Sequence, residues 1–200
     1  MAVFTRIRKA NLTDEADLAR ICLLTGANGE DATGLYCDDT ILADVYSSPY
    51  LAGPSCLAWV VEVGGRPRGY VVAAADSAAF QKWFTDEWWP SRAPLHAAAT
   101  PHDEILLAAA GDPERWLTAA AAEYPAHLHI DLLPELQGAG WGRRLIDTLC
   151  AELANEGVRG VHLVANRANT AAQLFHPKVG FAPISENAHA VTFARTTLAS

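Results

Sequence analysis

Six residues, Gln137-Gly138-Ala139-Gly140-Trp141-Gly142, lie between two periodic runs. Before them is an apolar-alternating stretch, Leu128 to Leu133, closed by Pro134; after them Leu145, Ile146, Leu149, Cys150 and Leu153 recur at helical spacing. This order predicts a strand, a glycine-rich turn and a helix without a gap. Such a turn aims successive backbone N–H groups at one point, and the helix N-terminus adds partial positive charge. The chemistry is that of a phosphate or pyrophosphate pocket. Arg143 and Arg144 would add charge to it, or else are solvated surface arginines.

The strand before the turn carries a second pattern. Period-2 alternation over residues 127–132 puts His127, His129 and Asp131 on one face and Leu128, Ile130 and Leu132 on the other. Two readings of the polar face stay open. Asp131 or His129 is a general base facing a cleft, or these side chains hydrogen-bond within the protein. Asp103 and Glu104 are weaker candidates for the base. The four cysteines, Cys22, Cys37, Cys56 and Cys150, have no zinc-type spacing and imply no disulfide framework. They are expected to be buried thiols, and no metal site is read.

The elements that must position these residues follow from the rest of the pattern. Thr5 to Arg8 reads as a first strand. A helix follows with Thr13 as its N-cap and Leu18, Ile21 and Cys22 on its apolar face; a second is expected over 39–46. Between them Gly26 to Gly34 reads as a loop. Cys56 to Val63 and Gly69 to Ala75 form an antiparallel hairpin around Gly64-Gly65-Arg66-Pro67. Residues of about 76–124 form an insertion rich in Trp and Ala, with helices expected over 108–111 and 114–122; its aromatics either pack it onto the sheet or wall a substrate cleft. Val161 to Ala165 is a buried strand, Asn169 to Phe175 a short helix stopped by Pro177, and Phe181 to Ile184 and Ala190 to Leu198 closing strands.

Two hundred residues, half of them apolar, suffice for one domain over 1–200 with a sizeable core. The net charge of -8 argues against a nucleic-acid backbone as partner. No apolar run is long enough to span a membrane, and Met1 to Lys9 has no apolar signal core, so a cytoplasmic protein is expected.

These residues resemble the GNAT acetyltransferases. The family's pyrophosphate loop, Q/R-x-x-G-x-G/A, is matched by Gln137 to Gly142, and Ile130-Asp131-Leu132-Leu133-Pro134 resembles its central strand. Downstream the family shows N-x-x-A-x-x-L/F-Y-x-K-x-G-F; here Asn169, Ala172, Phe175, Lys178, Gly180 and Phe181 match, and His176 stands where tyrosine is usual. The two motifs cover roughly residues 126–184. More narrowly, Tyr124-Pro125-Ala126-His127-Leu128-His129 behind a Trp-rich insertion is similar to bacterial relatives of the acetyltransferase-like domain of O-GlcNAcase.

The resemblance implies an α/β GNAT fold, with a mixed, mostly antiparallel twisted sheet flanked by helices, and acetyl-CoA as cosubstrate. Gln137, Gly138, Ala139, Gly140, Trp141, Gly142 and Arg143 would take the pyrophosphate, and Asn169 the cofactor arm or a helix cap. A backbone N–H near Leu132 or Leu133 would polarise the thioester carbonyl. His176 would protonate the leaving thiolate in place of tyrosine, or stand as a neutral spacer. The acceptor is an amine, of a small molecule or of a protein lysine or N-terminus, and a homodimer is a mild expectation. Two other readings differ in class. One is a non-catalytic acyl-CoA-binding domain. The other, a dinucleotide-binding enzyme, is opposed by the absence of G-x-G-x-x-G.

Overall fold

A computed structural model describes residues 4–197. In chain order the elements are β1 (Thr5–Lys9), α1 (Glu15–Thr25), α2 (Ile41–Tyr46), α3 (Pro49–Ala52), β2 (Cys56–Val63) and β3 (Arg66–Ala74). The insertion contributes α4 (Ser77–Trp83), a π turn (Phe84–Trp88), α5 (Trp89–Arg92), α6 (Pro101–Ala110) and α7 (Ala119–Glu123). Then come β4 (Ala126–Leu132), α8 (Trp141–Asn155), β5 (Gly160–Asn166), α9 (Thr170–Lys178), β6 (Ala182–Glu186) and β7 (Ala190–Thr196).

All seven strands join one sheet in the order β1-β2-β3-β4-β5-β7-β6. Every neighbouring pair is antiparallel except β4 with β5. Strand β4 pairs with β3 along six residues, from His127 to Leu132. It pairs with β5 only at Ala126↔Val161 and His127↔His162. Past His127 the two parallel strands splay, and the β5-facing edge of β4 is left without a partner strand. One sheet face packs on α8, whose Leu145, Ile146, Leu149 and Leu153 meet Val71, Leu128, Val161 and Phe193. On the other face α1, α2 and the insertion's Phe80, Phe84, Trp88, Trp89 and Trp116 pack on Val60, Tyr70 and Val72. Both faces of the central strands are therefore covered, which is why those strands read as nearly continuous apolar runs.

Local chemistry places several element ends differently from the sequence reading. The N-cap of the first helical turn is Asn11, not Thr13: Asn11 Oδ1 accepts the Thr13 N–H at 2.9 Å while Asp14 Oδ2 accepts the Asn11 N–H at 2.9 Å, a reciprocal capping box. The hairpin loop is only Gly64-Gly65, at φ +58° and +87°, so β3 starts at Arg66. In the insertion, a box between Thr100 and Asp103 with Pro101 at the first position starts α6 seven residues before the expected helix. Asp76 caps α4, an unexpected helix. Residues 114–118 are not helical: the Trp116 N–H is spent on Gln81 Oε1 at 2.9 Å. Helix α9 runs through Pro177 to Lys178, since a proline in the last turn removes one hydrogen bond where few remain. The closing strand ends at Thr196, and Leu198, placed in it from sequence, lies outside the described residues. Cys22 and Cys150 are buried and Cys56 partly so, whereas Cys37 is exposed.

Candidate active site

The glycine loop sits where the sequence puts it, between β4 and α8. Gly138 and Gly140 have φ +71° and +82°, a conformation only glycine adopts without strain, and a Cβ at either would meet nothing within 4 Å. Backbone hydrogen bonding resumes with the Arg144 N–H donating to Gly140 O at 3.2 Å. From Gly138 to Arg143, no N–H has an acceptor among the described residues. Six successive donors are thus left without partners at the start of a 15-residue helix, a loop suited to a pyrophosphate. Gly142 has a different reason. A Cβ there would come within 2.9 Å of Phe175 Cζ, so the glycine lets α8 and α9 pack. Gln137 braces the loop from below through Nε2 to Leu132 O at 2.9 Å. Arg143 is tied to Lys178 O, and Arg144 lies 4.7 Å over the Trp141 ring.

Of the two residues singled out for a thioester contact, Leu133 spends its N–H on Arg68 O at 3.0 Å, on the β3 side. Successive N–H groups of an extended chain point to opposite sides. Leu132 therefore turns its N–H toward the splay, as does Ile130. Asn169 caps α9, its Oδ1 accepting the Ala172 N–H at 2.9 Å. Its amide also lies against the Gly26–Gly34 loop, where a Cβ on Gly29 would be 3.6 Å away.

The polar face of β4 divides into three environments. His127 is buried and fully bonded, Nε2 to the Tyr50 hydroxyl and Nδ1 to the Ser77 hydroxyl, each at 2.8 Å. Burial drives its pKa well below the usual histidine value. Asp131 accepts a 2.5 Å hydrogen bond from the Tyr70 hydroxyl. Burial raises its carboxyl above the ordinary range, opposed by the Tyr70 and Thr25 hydroxyls. His129 opens into a cavity of about 260 Å³ at the vertex of the splay, which His127 and His162 also line. Burial, with help from the nearby Arg115 charge, lowers its pKa to about 3, and its buried Nε2 has no partner among the described residues. His176 lies on the other side of the sheet, among Phe175, Phe181 and Phe193 with ring centroids 5.3 to 5.8 Å away. Burial holds its pKa at about 4, so the imidazolium is not populated near neutrality.

Asp103 is excluded from base duty by geometry: it is fully buried and accepts the N–H groups of Thr100 at 2.7 Å and of Cys37 and Ala99 at 3.2 Å. Glu104 is exposed on α6. The sequence reading missed Tyr46, Arg115 and Thr118, which line the His129 cavity with Trp116, and Tyr70, which holds Asp131. They belong to no motif. Arg115 and Thr118 sit in an irregular stretch whose only signal was the neighbouring Trp116.

A splayed parallel pair in a mixed sheet, an unpaired strand edge and a glycine loop of partnerless N–H groups at its end are the parts that an acyl-transfer site built on an activated carrier would need. The model of the acetyltransferase (GNAT) family matches residues 29–181, and the chain belongs to that family. The crystal structure of SsHAT superposes with a TM-score of 0.90 at 34% identity, over 98% of this chain and 99% of that one. The ribosomal-protein-S18-alanine N-acetyltransferase of Escherichia coli gives 0.57 at 15% identity, covering 98% and 96%. AAC(6')-Ib in complex with ribostamycin and coenzyme A gives 0.57 at 18%, covering 96% and 93%. At those identities the last two share the fold. No helix among the described residues is long and apolar enough to cross a membrane.

Proposed function

We propose that this chain transfers an acetyl group from acetyl-CoA directly to an amine acceptor. The observation that carries the reading is the run of six partnerless N–H groups, Gly138 to Arg143, ending the unpaired edge of β4. AAC(6')-Ib, which shares the fold, is in complex with coenzyme A, and that supports this carrier here, as does a loop chemistry suited to a pyrophosphate. Bound acetyl-CoA would supply an acetyl group activated as a thioester.

The chain's own residues do the rest. The loop N–H groups bind the pyrophosphate, and the β4 edge offers N–H and C=O groups to the amides of the carrier arm, as a sheet edge takes up a strand. The Leu132 N–H, or that of Ile130, polarises the thioester carbonyl and stabilises the oxyanion. Asp131, oriented by Tyr70 and with its carboxyl raised by burial, takes the proton of the attacking amine. His129, held neutral, is the second candidate. Of the two roles open to His176, the buried neutral ring supports the spacer, with the thiolate leaving unaided. The similarity of residues 124–129 to the O-GlcNAcase-associated domain makes kinship with its bacterial relatives part of this reading.

Calorimetry with acetyl-CoA and CoA tests it, with Gly140→Glu as control. Micromolar binding lost in the control is expected. No binding by the unaltered chain would leave an interaction domain instead.

A further inference from the structure

The cavity at the vertex of the splay contains an unusual set of atoms. Among buried side-chain polar atoms of the described residues, four lack a hydrogen-bond partner: Arg115 Nη1, Thr118 Oγ1, His129 Nε2 and His176 Nδ1. The first three belong to residues that line this one cavity. They come from two places in the chain, Arg115 and Thr118 in one irregular stretch of the insertion and His129 on β4, so it is the tertiary fold that brings the pair to His129.

Arg115 is the centre of the set. Its guanidinium lies 5.0 Å over the Tyr46 ring and 5.1 Å over the Trp116 ring. Neither ring contact gives the buried Nη1 a hydrogen-bond acceptor. No described carboxylate lies within ion-pair distance of it; Asp131, the acid of the same β4 face, is bound to Tyr70. A guanidinium with an N–H out of water and no acceptor is costly. Here it is kept, and the residues around it add no negative charge. Thr118 adds a hydroxyl, and His129 a neutral ring that presents a donor or an acceptor according to its tautomer. Val164 of the interior strand β5 is 57% exposed because it fronts this space.

We infer that the cavity is a subsite for a carboxylate, gripped by the Arg115 guanidinium with Thr118 as second contact, on the acyl group or on the acceptor that meets at the splay. One cation and about 260 Å³ suit a single carboxylate on a short chain better than a phosphate ester. Two sources fit: a carrier arm laid along the β4 edge from the glycine loop would bring the tail of its acyl group to the cavity, and an acceptor entering beside Tyr46 would bring a carboxylate of its own. This inference rests on the acyl-transfer reading for the two sources, though not for the subsite itself.

The test compares acetyl-CoA with succinyl-CoA by calorimetry, on the unaltered chain and on Arg115→Met, which keeps the apolar stem. If the acyl tail is the source, succinyl-CoA binds about tenfold tighter or more, and Arg115→Met removes that preference while acetyl-CoA affinity stays. If the acceptor is the source, the two thioesters bind alike. Amines carrying a carboxylate then raise the melting temperature of the acetyl-CoA-loaded protein, their amides do not, and Arg115→Met abolishes the difference. Equal behaviour in both arms, or a carboxylate preference that survives Arg115→Met, means a solvent-filled cavity and overturns the inference. Should neither thioester bind, the proposed function fails, and titrating the free protein with succinate against succinamide still decides the subsite.

Discussion

Shifting the pH from about 7.5 to about 5.5 should cost this protein roughly 3 kcal/mol of stability through two histidines, His127 and His176. Both are buried, at 3% and 5% exposure, and both are held neutral by burial, His127 well below 6.5 and His176 at about 4. In the unfolded chain each titrates near 6.5. The unfolded state therefore binds more protons in this window, and stability is present above about 6.5 and lost as pH falls below it. At one unit below 6.5 the loss per group is RT ln 11, about 1.4 kcal/mol. His129, held at about 3, adds about 1.4 kcal/mol more to that loss, and His162 contributes with the same sign, its ring buried with Nδ1 donating to Tyr124 O at 2.8 Å. Asp131, raised by burial, works in the opposite sense. The depressed carboxylates, such as Asp14 beside Arg8, lose their stabilising contribution only near and below pH 4, so they leave this window to the histidines. Out of a typical total of about 5–15 kcal/mol, the effect is large. Urea unfolding followed by tryptophan fluorescence at a series of pH values measures it. His176→Phe, which suits the surrounding phenylalanines and removes a partnerless Nδ1, should return about 1.4 kcal/mol of the loss at the acid end. A flat stability between the two pH values, or a His176→Phe curve parallel to the parent's, would refute the reasoning.

Other outcomes follow from single contacts. Asp131→Asn should cut acetyl transfer by about 10²-fold or more while leaving acetyl-CoA affinity unchanged, read from steady-state kinetics against calorimetry. Tyr70→Phe removes a bond that lowers the Asp131 pKa, so the acid limb of the rate profile should move to higher pH; an unmoved limb would take Asp131 out of the base role. Thr100→Ala breaks the α6 capping box and should cost about 1 kcal/mol in urea unfolding. Gly142→Ala puts a Cβ 2.9 Å from Phe175 Cζ and should cost about 1–3 kcal/mol, with a smaller effect on acetyl-CoA binding than Gly140→Glu has.

The amino-acid sequence alone determined the glycine cradle, the amphipathic face of α8 and the alternation on β4, and with them the family. These are short-range matters: positive φ needs glycine, burial on one helix face needs 3.6-residue spacing, and a pleated strand alternates. It did not determine where α6 begins or that residues 114–118 are irregular, because the Trp116 N–H there finds Gln81, 35 residues away, instead of the next turn. Nor could it divide the polar face of β4. His127, His129 and Asp131 are equivalent by spacing, and only packing gave the first to Tyr50 and Ser77, the last to Tyr70, and left His129 facing a cavity. From its motif His176 could be a substitute acid or a neutral spacer, and only the tertiary structure puts three phenylalanines around it. Arg115 had no motif at all. Its place beside His129 comes from the insertion folding back over the splayed strands, and a long-range contact of that kind leaves no period in the chain for a reader to find.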